Sequence, residues 1–142
     1  MVDVTKKPEA FREAVAKGLI RLKKETLELI KKGRIEKGDV FSVARVAGVL
    51  AAKNTSGLIP LCHPLPLTSV SIDLKLVRDS VECVATVRAR AQTGVEMEAL
   101  VGVAVALLTV WDMVKQYEKD EGGQYPSTVI EDVRVVSKVK KE

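Results

Sequence analysis

This sequence predicts an α+β fold, with one antiparallel sheet and helices packed on one of its faces. Three observations predict it. Residues 70–91 alternate apolar and polar on either side of a short polar turn, residues 93–117 form a long apolar segment that opens on a helix-start signal, and residues 39–53 carry apolar residues at helical spacing. Strands and helices of these lengths pack as two layers, each burying one apolar face against the other.

Taken in order, Pro8 to about Leu22 is ambiguous. It admits a helix, but Ile20, Arg21, Leu22 and Lys23 also alternate as a half-buried strand does, and the fold takes it as a strand. Thr26 to Lys32 reads as a short helix ended by Gly33. Asp39 then N-caps a longer helix, whose apolar stripe is Val40, Val43, Ala44, Ala47, Leu50 and Ala51 and which runs to about Lys53. Val70, Ile72, Leu74 and Leu76 alternate with polar residues, Arg78-Asp79-Ser80 turns the chain, and Val81 to Ala91 alternates back as the partner strand of a hairpin. Thr93 with Glu96 matches a capping box, and the helix that follows reaches about Tyr117. Between Val95 and Trp111 it is apolar on every side and requires cover on most faces. Gly122-Gly123 breaks it, Pro126 lies in the connection, and Val133 to Val136 make a last strand before a basic tail. The result is a ferredoxin-like arrangement.

At 142 residues the chain has the length of a single domain, 1–142, with 46% hydrophobic residues to build its core. No stretch reads as a spanning helix, and Met1-Val2-Asp3-Val4 lacks a signal-peptide pattern, which predicts a cytoplasmic protein. Two cysteines outside any CxxC pair and a single histidine provide no zinc ligand set. The net charge is +4, with 12 Lys or Arg against 7 Asp or Glu in the first fifty residues, which suits an anionic partner as well as mere solubility. One asparagine and three glutamines beside 30% charged residues resemble a thermophile's composition. No GxxxxGK, GxGxxG or GxSxG motif occurs.

Three groups of residues could carry chemistry. His63 sits in Ile59-Pro60-Leu61-Cys62-His63-Pro64-Leu65-Pro66-Leu67, where prolines pre-set the backbone; the imidazole could meet phosphate or move protons, or simply pack. In Glu96-Met97-Glu98, helical geometry turns the two carboxylates apart, so Glu96 caps the helix while Glu98 is free to face a site. Asp112 and Lys115, where the apolar helix ends, form either a solvated i, i+3 ion pair or a tuned acid/base pair. Lys37 beside the helix start and Lys138, Lys140 and Lys141 near the C-terminus add cations suited to an anion.

Ordered runs containing these residues resemble the molybdenum cofactor biosynthesis protein C family, the cyclic pyranopterin monophosphate synthases. The resemblance spans nearly the whole chain, through Met1-Val2-Asp3-Val4, Lys37-Gly38-Asp39-Val40-Phe41, Pro60-Leu61-Cys62-His63-Pro64-Leu65, Thr93-Gly94-Val95-Glu96-Met97-Glu98-Ala99-Leu100 and Asp112-Met113-Val114-Lys115. It implies a homohexamer, a trimer of dimers with active sites between subunits. It also implies conversion of a cyclised dihydro-GTP (3′,8-cyclo-7,8-dihydroguanosine triphosphate) to cyclic pyranopterin monophosphate with release of pyrophosphate. By position, Asp112 matches the catalytic aspartate and Lys115 its companion in acid/base steps. Leu61, Cys62 and His63 match a substrate loop, and Glu96, Met97 and Glu98 a substrate-contacting segment. Lys37 and Lys53 match cations that neutralise the triphosphate, Lys37 being counted with the catalytic groups. No cofactor is implied beyond Mg²⁺ accompanying the triphosphate. The C-terminus departs from the family's glycine-rich ending: Lys138 aligns with the tail lysine, a shift of two would substitute Lys140, and Gly122-Gly123-Gln124-Tyr125-Pro126 lengthens the preceding loop. Two rival classes remain. A ferredoxin-like nucleic-acid module would need strand aromatics for stacking, and the predicted strands offer none; a purely structural oligomer would leave His63, Glu98 and Asp112 unexplained.

Overall fold

A computed structural model describes residues 1–142. The order is β1 (Ala10–Arg21), α1 (Lys24–Lys31), α2 (Val40–Lys53), α3 (Thr55–Leu58), β2 (Leu67–Val77), β3 (Ser80–Ala91), α4 (Glu96–Glu118) and β4 (Val129–Lys141). The four strands form one antiparallel sheet in the order β2-β3-β1-β4, with the helices on one face. This is the expected α+β arrangement, a βαββαβ chain of ferredoxin-like order. The ambiguous first segment is a strand: Ala10, Arg12, Ala14, Ala16 and Ile20 are buried beneath the helices while Phe11, Val15 and Leu19 point to the opposite, helix-free face. The hairpin expected at residues 70–91 forms, turning at Arg78, whose φ is 45°.

Helix α4 packs across the sheet through Ala99, Val103, Ala106, Leu107, Val110 and Val114, all fully buried. It approaches β1 closely at Gly18, where a Cβ would come within 3.0 Å of Leu107 and Val103 and 2.9 Å of Val133. By length and hydropathy α4 does match a membrane-spanning helix, contrary to the sequence expectation. Half of that apolar window is buried inside the protein, so its hydropathy belongs to the layer against the sheet.

Four local expectations are corrected. The face that α2 buries is Val40, Ala44, Gly48, Ala51 and Ala52, whereas Val43 (45% exposed), Val46 (60%) and Leu50 (52%) lie outside. Small residues face the core because α2 and α4 nearly touch: a Cβ on Gly48 would lie 3.0 Å from the Gly102 carbonyl oxygen and 3.1 Å from Ile72. The capping box does not form: α4 begins at Glu96 with Val95 as its N-cap and no side-chain cap, so Glu96 stands at the first helical position instead of the third, and its carboxylate accepts from Lys138. β4 runs to Lys141, so the basic tail is itself the edge strand, with bulges opposite Val15–Leu19 that include Asp132 at φ 57°. The one-turn helix α3 after Asn54 has no counterpart in the sequence reading.

The α2–α4 approach generates a test. Ala at position 48 gains about 1 kcal/mol of helix propensity over Gly, offsetting its tight contact; Val adds the overpacking of a closed contact, about 1–3 kcal/mol. Chemical unfolding of Gly48→Ala should therefore show little change, and Gly48→Val a clear loss of stability.

Candidate active site

The residues singled out gather at the two ends of α4. At its N-terminal end, a cleft of about 180 Å³ is lined by Leu61, Cys62, His63, Leu65 and the segment Thr93–Glu98. The proline loop and the start of α4 thus meet in one chain. His63 Nε2 lies 2.7 Å from the Val2 carbonyl oxygen; a carbonyl only accepts, so Nε2 carries the hydrogen. The N-terminal segment is held nearby by Gln92 Nε2 donating to the Lys7 carbonyl at 3.0 Å. Lys138 Nζ donates to Glu96 Oε2 at 3.3 Å.

Glu98 is buried at the cleft and engages no ion pair. Burial pushes its pKa up, and the neighbouring Glu96 adds to the shift, only partly offset by a backbone hydrogen bond. Burial, followed by the charge of Glu98, also pushes up the Cys62 thiol. Cys83 lies under the helices with its pKa pushed up to about 12, chiefly by burial, and so remains an unreactive core thiol. Lys53 stands slightly apart on the last turn of α2, beside a shallow depression formed with Val49, Leu65 and Leu67; Leu65 lines both that depression and the cleft.

Fourteen residues along α4, about 21 Å at 1.5 Å per residue, Asp112 lies at the other end. Two lysines grip it. Lys115 Nζ is 3.1 Å from Oδ1, while Lys37 Nζ donates to Oδ2 at 3.2 Å and to the Asp112 carbonyl at 3.0 Å. The Lys115 hydrogen bond, then that of Lys37, then the two charges, hold the Asp112 pKa below its ordinary value. The solvated-pair reading missed Lys37, which is 75 residues away in sequence and reaches the carboxylate only through the fold. No three His, Cys, Asp or Glu side chains converge to hold a metal ion.

Several residues at these ends escaped the sequence reading. Glu118, in a charged stretch that reads as surface, is fully buried: its carboxylate accepts from the Lys23 N–H at 3.1 and 3.3 Å, from Thr128 Oγ1 at 2.6 Å and from Thr26 Oγ1. Gly94 lines the cleft, and a Cβ there would run into the Glu96 carboxylate. The only sequence signal for it was the Thr-Gly-Val-Glu-Met-Glu run itself.

The fold and the paired polar ends of α4 define an α+β protein whose one long helix carries a carboxylate–lysine cluster at one end and a histidine–carboxylate cleft at the other. The chain matches the model of the MoaC family over residues 1–141, and it belongs to that family. It is 62% identical over 142 residues to a protein of Thermococcus kodakarensis, covering all of this chain and 91% of that relative. It is also 56% identical over 140 residues to one of Sulfolobus acidocaldarius, covering 99% of this chain and 98% of the relative. Both relatives are named probable cyclic pyranopterin monophosphate synthase.

The raised Glu98 pKa has a stability consequence. Its protonated form is favoured by the fold, so its contribution is favourable below the unfolded carboxyl pKa of about 4.3 and is lost as pH rises through the higher folded value. Glu98→Gln should raise the melting temperature at pH 8 and leave it nearly unchanged near pH 4. A lower melting temperature at pH 8 would show that the ionised carboxylate is stabilised there.

Proposed function

We propose that this chain is a cyclic pyranopterin monophosphate synthase of molybdenum cofactor biosynthesis, acting through a site assembled from the opposite α4 ends of two subunits. The observation that carries the reading is Asp112 held by Lys37 and Lys115 in a chain that matches the family over residues 1–141. The substrate is a cyclised dihydro-GTP, and the products are the cyclic monophosphate and pyrophosphate.

Each proposed role follows from the chemistry of its group. Asp112, kept ionised by its two lysines, acts as the base in the ring rearrangement. Lys115 and Lys37 supply protons and hold the carboxylate in place. Closing a cyclic phosphate with pyrophosphate as leaving group places charge on the departing oxygen, which cations stabilise most where charge develops. Lys53, Lys138 and His63 meet that charge. Leu61, Cys62 and Met97 shape the wall that receives the pterin precursor, and Glu98, with Glu96 beside it, hydrogen-bonds the ring donors. No resident cofactor takes part; Mg²⁺ would arrive with the triphosphate.

Two facts support completion of the site by a second subunit. Glu98 and Asp112 are separated by about 21 Å of rigid helix, further than adjacent groups of one reacting centre can stand. The cleft at His63, about 180 Å³, is smaller than the roughly 300–1,000 Å³ of a small-molecule site. Surfaces for assembly are present: Val43, Val46 and Leu50 on α2, Leu108 on α4 and the helix-free sheet face remain uncovered in one chain. The reading includes a homohexamer, a trimer of dimers, working in the cytoplasm. The nucleic-acid alternative is not favoured: the strands carry one aromatic, Phe11, where the sequence reading expected none, and a single ring does not make a stacking platform.

Turnover of cyclised dihydro-GTP, followed as pyrophosphate release and pterin fluorescence, tests the activity. Asp112→Asn should fold and assemble yet lose at least about a hundredfold in kcat, the contribution of a positioned base; near-normal turnover would reduce the cluster to a surface ion pair. Lys115→Met removes the main cause of the depressed Asp112 pKa, so the acid limb of residual activity should move to higher pH.

Mixing tests the shared site. Inactive Asp112→Ala and His63→Ala chains, dissociated and reassembled together, should recover part of the activity, because some sites receive both intact residues. No recovery would place both residues in one chain's site, and a monomer by light scattering would defeat the assembly.

A further inference from the structure

Lys37 has to be delivered to Asp112 by the loop between α1 and α2, and that loop has no regular structure to hold it. It pivots on two glycines in conformations that L side chains rarely adopt, Gly33 at φ 67° and Gly38 at φ 118°. Ile35 anchors its middle in the core. The one residue between Ile35 and Lys37, Glu36, is held by α4. The Glu36 N–H donates to Tyr117 Oη at 2.9 Å, and Gln116 Nε2 donates to Glu36 Oε2 at 3.0 Å. Tyr117 is five residues beyond Asp112 on the same helix, and its ring packs against the core. One helix therefore carries both the carboxylate and the clamp for the lysine that reaches it.

We propose that Tyr117, assisted by Gln116, is a positioning residue that fixes the Glu36–Lys37 backbone so that Lys37 is presented to Asp112. The bond from the Glu36 N–H to the Tyr117 hydroxyl fixes the loop backbone one residue before Lys37. Gln116 has a second effect: with its amide on the Glu36 carboxylate, Glu36 forms no ion pair with Lys37 or Lys115, the two cations that face Asp112. The inference rests on the proposed function for its catalytic consequence, but its first test needs no turnover.

Tyr117→Phe deletes the hydroxyl and retains the ring, so the fold is kept. Lysine acetylation mapped by mass spectrometry should show Lys37 labelled several-fold faster in Tyr117→Phe than in the unaltered chain, with Lys115 little changed. Gln116→Ala should shift Lys37 the same way. In turnover of cyclised dihydro-GTP, Tyr117→Phe should lower kcat about three- to tenfold, the loss expected from one hydrogen bond, with KM nearly constant. The acid limb should move to higher pH, since Asp112 loses one of the two cations that depress its pKa. Added to Lys37→Ala, the substitution should cause no further loss. Unchanged Lys37 labelling, or an equal fractional loss in the Lys37→Ala background, would overturn the proposal. If labelling changes as expected but the unaltered chain does not turn over this substrate, the positioning role stands and the functional reading fails.

Discussion

Everything in this molecule depends on how closely α4 can lie on the sheet and against α2. The strand residues beneath it are small: Ala14, Ala16 and Gly18 on β1, and Cys83, Ala85 and Ala89 on β3. Its neighbour α2 meets it at Gly48 opposite Gly102. Tight packing gathers dispersion contacts and excludes water along the buried face of the helix. The bulky residues come from α4 itself and from strand positions such as Ile20, Ile72, Val81 and Val87, filling the space that the small ones leave.

A helix seated this firmly becomes a ruler. It holds Glu98 and Asp112 about 21 Å apart, a distance that their side chains do not bridge. The two ends differ in electrostatics as well. Asp112 is open to solvent and surrounded by lysines, which keeps its carboxyl ionised, whereas Glu98 is tucked beneath the proline loop and resists ionisation. Environments that push two carboxyls in opposite directions are how one protein obtains groups suited to different proton-transfer tasks.

The C-terminal end of α4 is secured by the buried carboxylate of Glu118. A charge without water is tolerable only when its oxygens are satisfied, and here a backbone N–H at the start of α1 and two threonine hydroxyls satisfy them. That ties α4, the entry to α1 and the approach to β4 into one knot. The loop carrying Lys37 leaves from α1, so the knot and the Tyr117 hydrogen bond constrain it from both sides. The cluster of Lys37, Asp112 and Lys115 is built on secured backbone although it lies at the surface.

The sequence by itself determined the strands, the main helices, their layer arrangement and the family, because each rests on local periodicity or on ordered runs of residues. Alternation placed β2 and β3, Asp39 capped α2 through the Ser42 N–H, and the Leu-Cys-His-Pro and Val-Glu-Met-Glu runs named the residues that line the cleft. Only the tertiary structure decided which face of α2 is buried, since apolar Val43, Val46 and Leu50 lost the core to Ala44, Gly48 and Ala52 through the close approach of another helix. It decided the fate of Glu96, which stands at the first position of α4 and meets a lysine 42 residues away on β4. It brought Lys37 to Asp112 and buried Glu118 within a stretch of charge. Those outcomes depend on partners distant in the chain, and a local pattern holds no record of which distant group arrives.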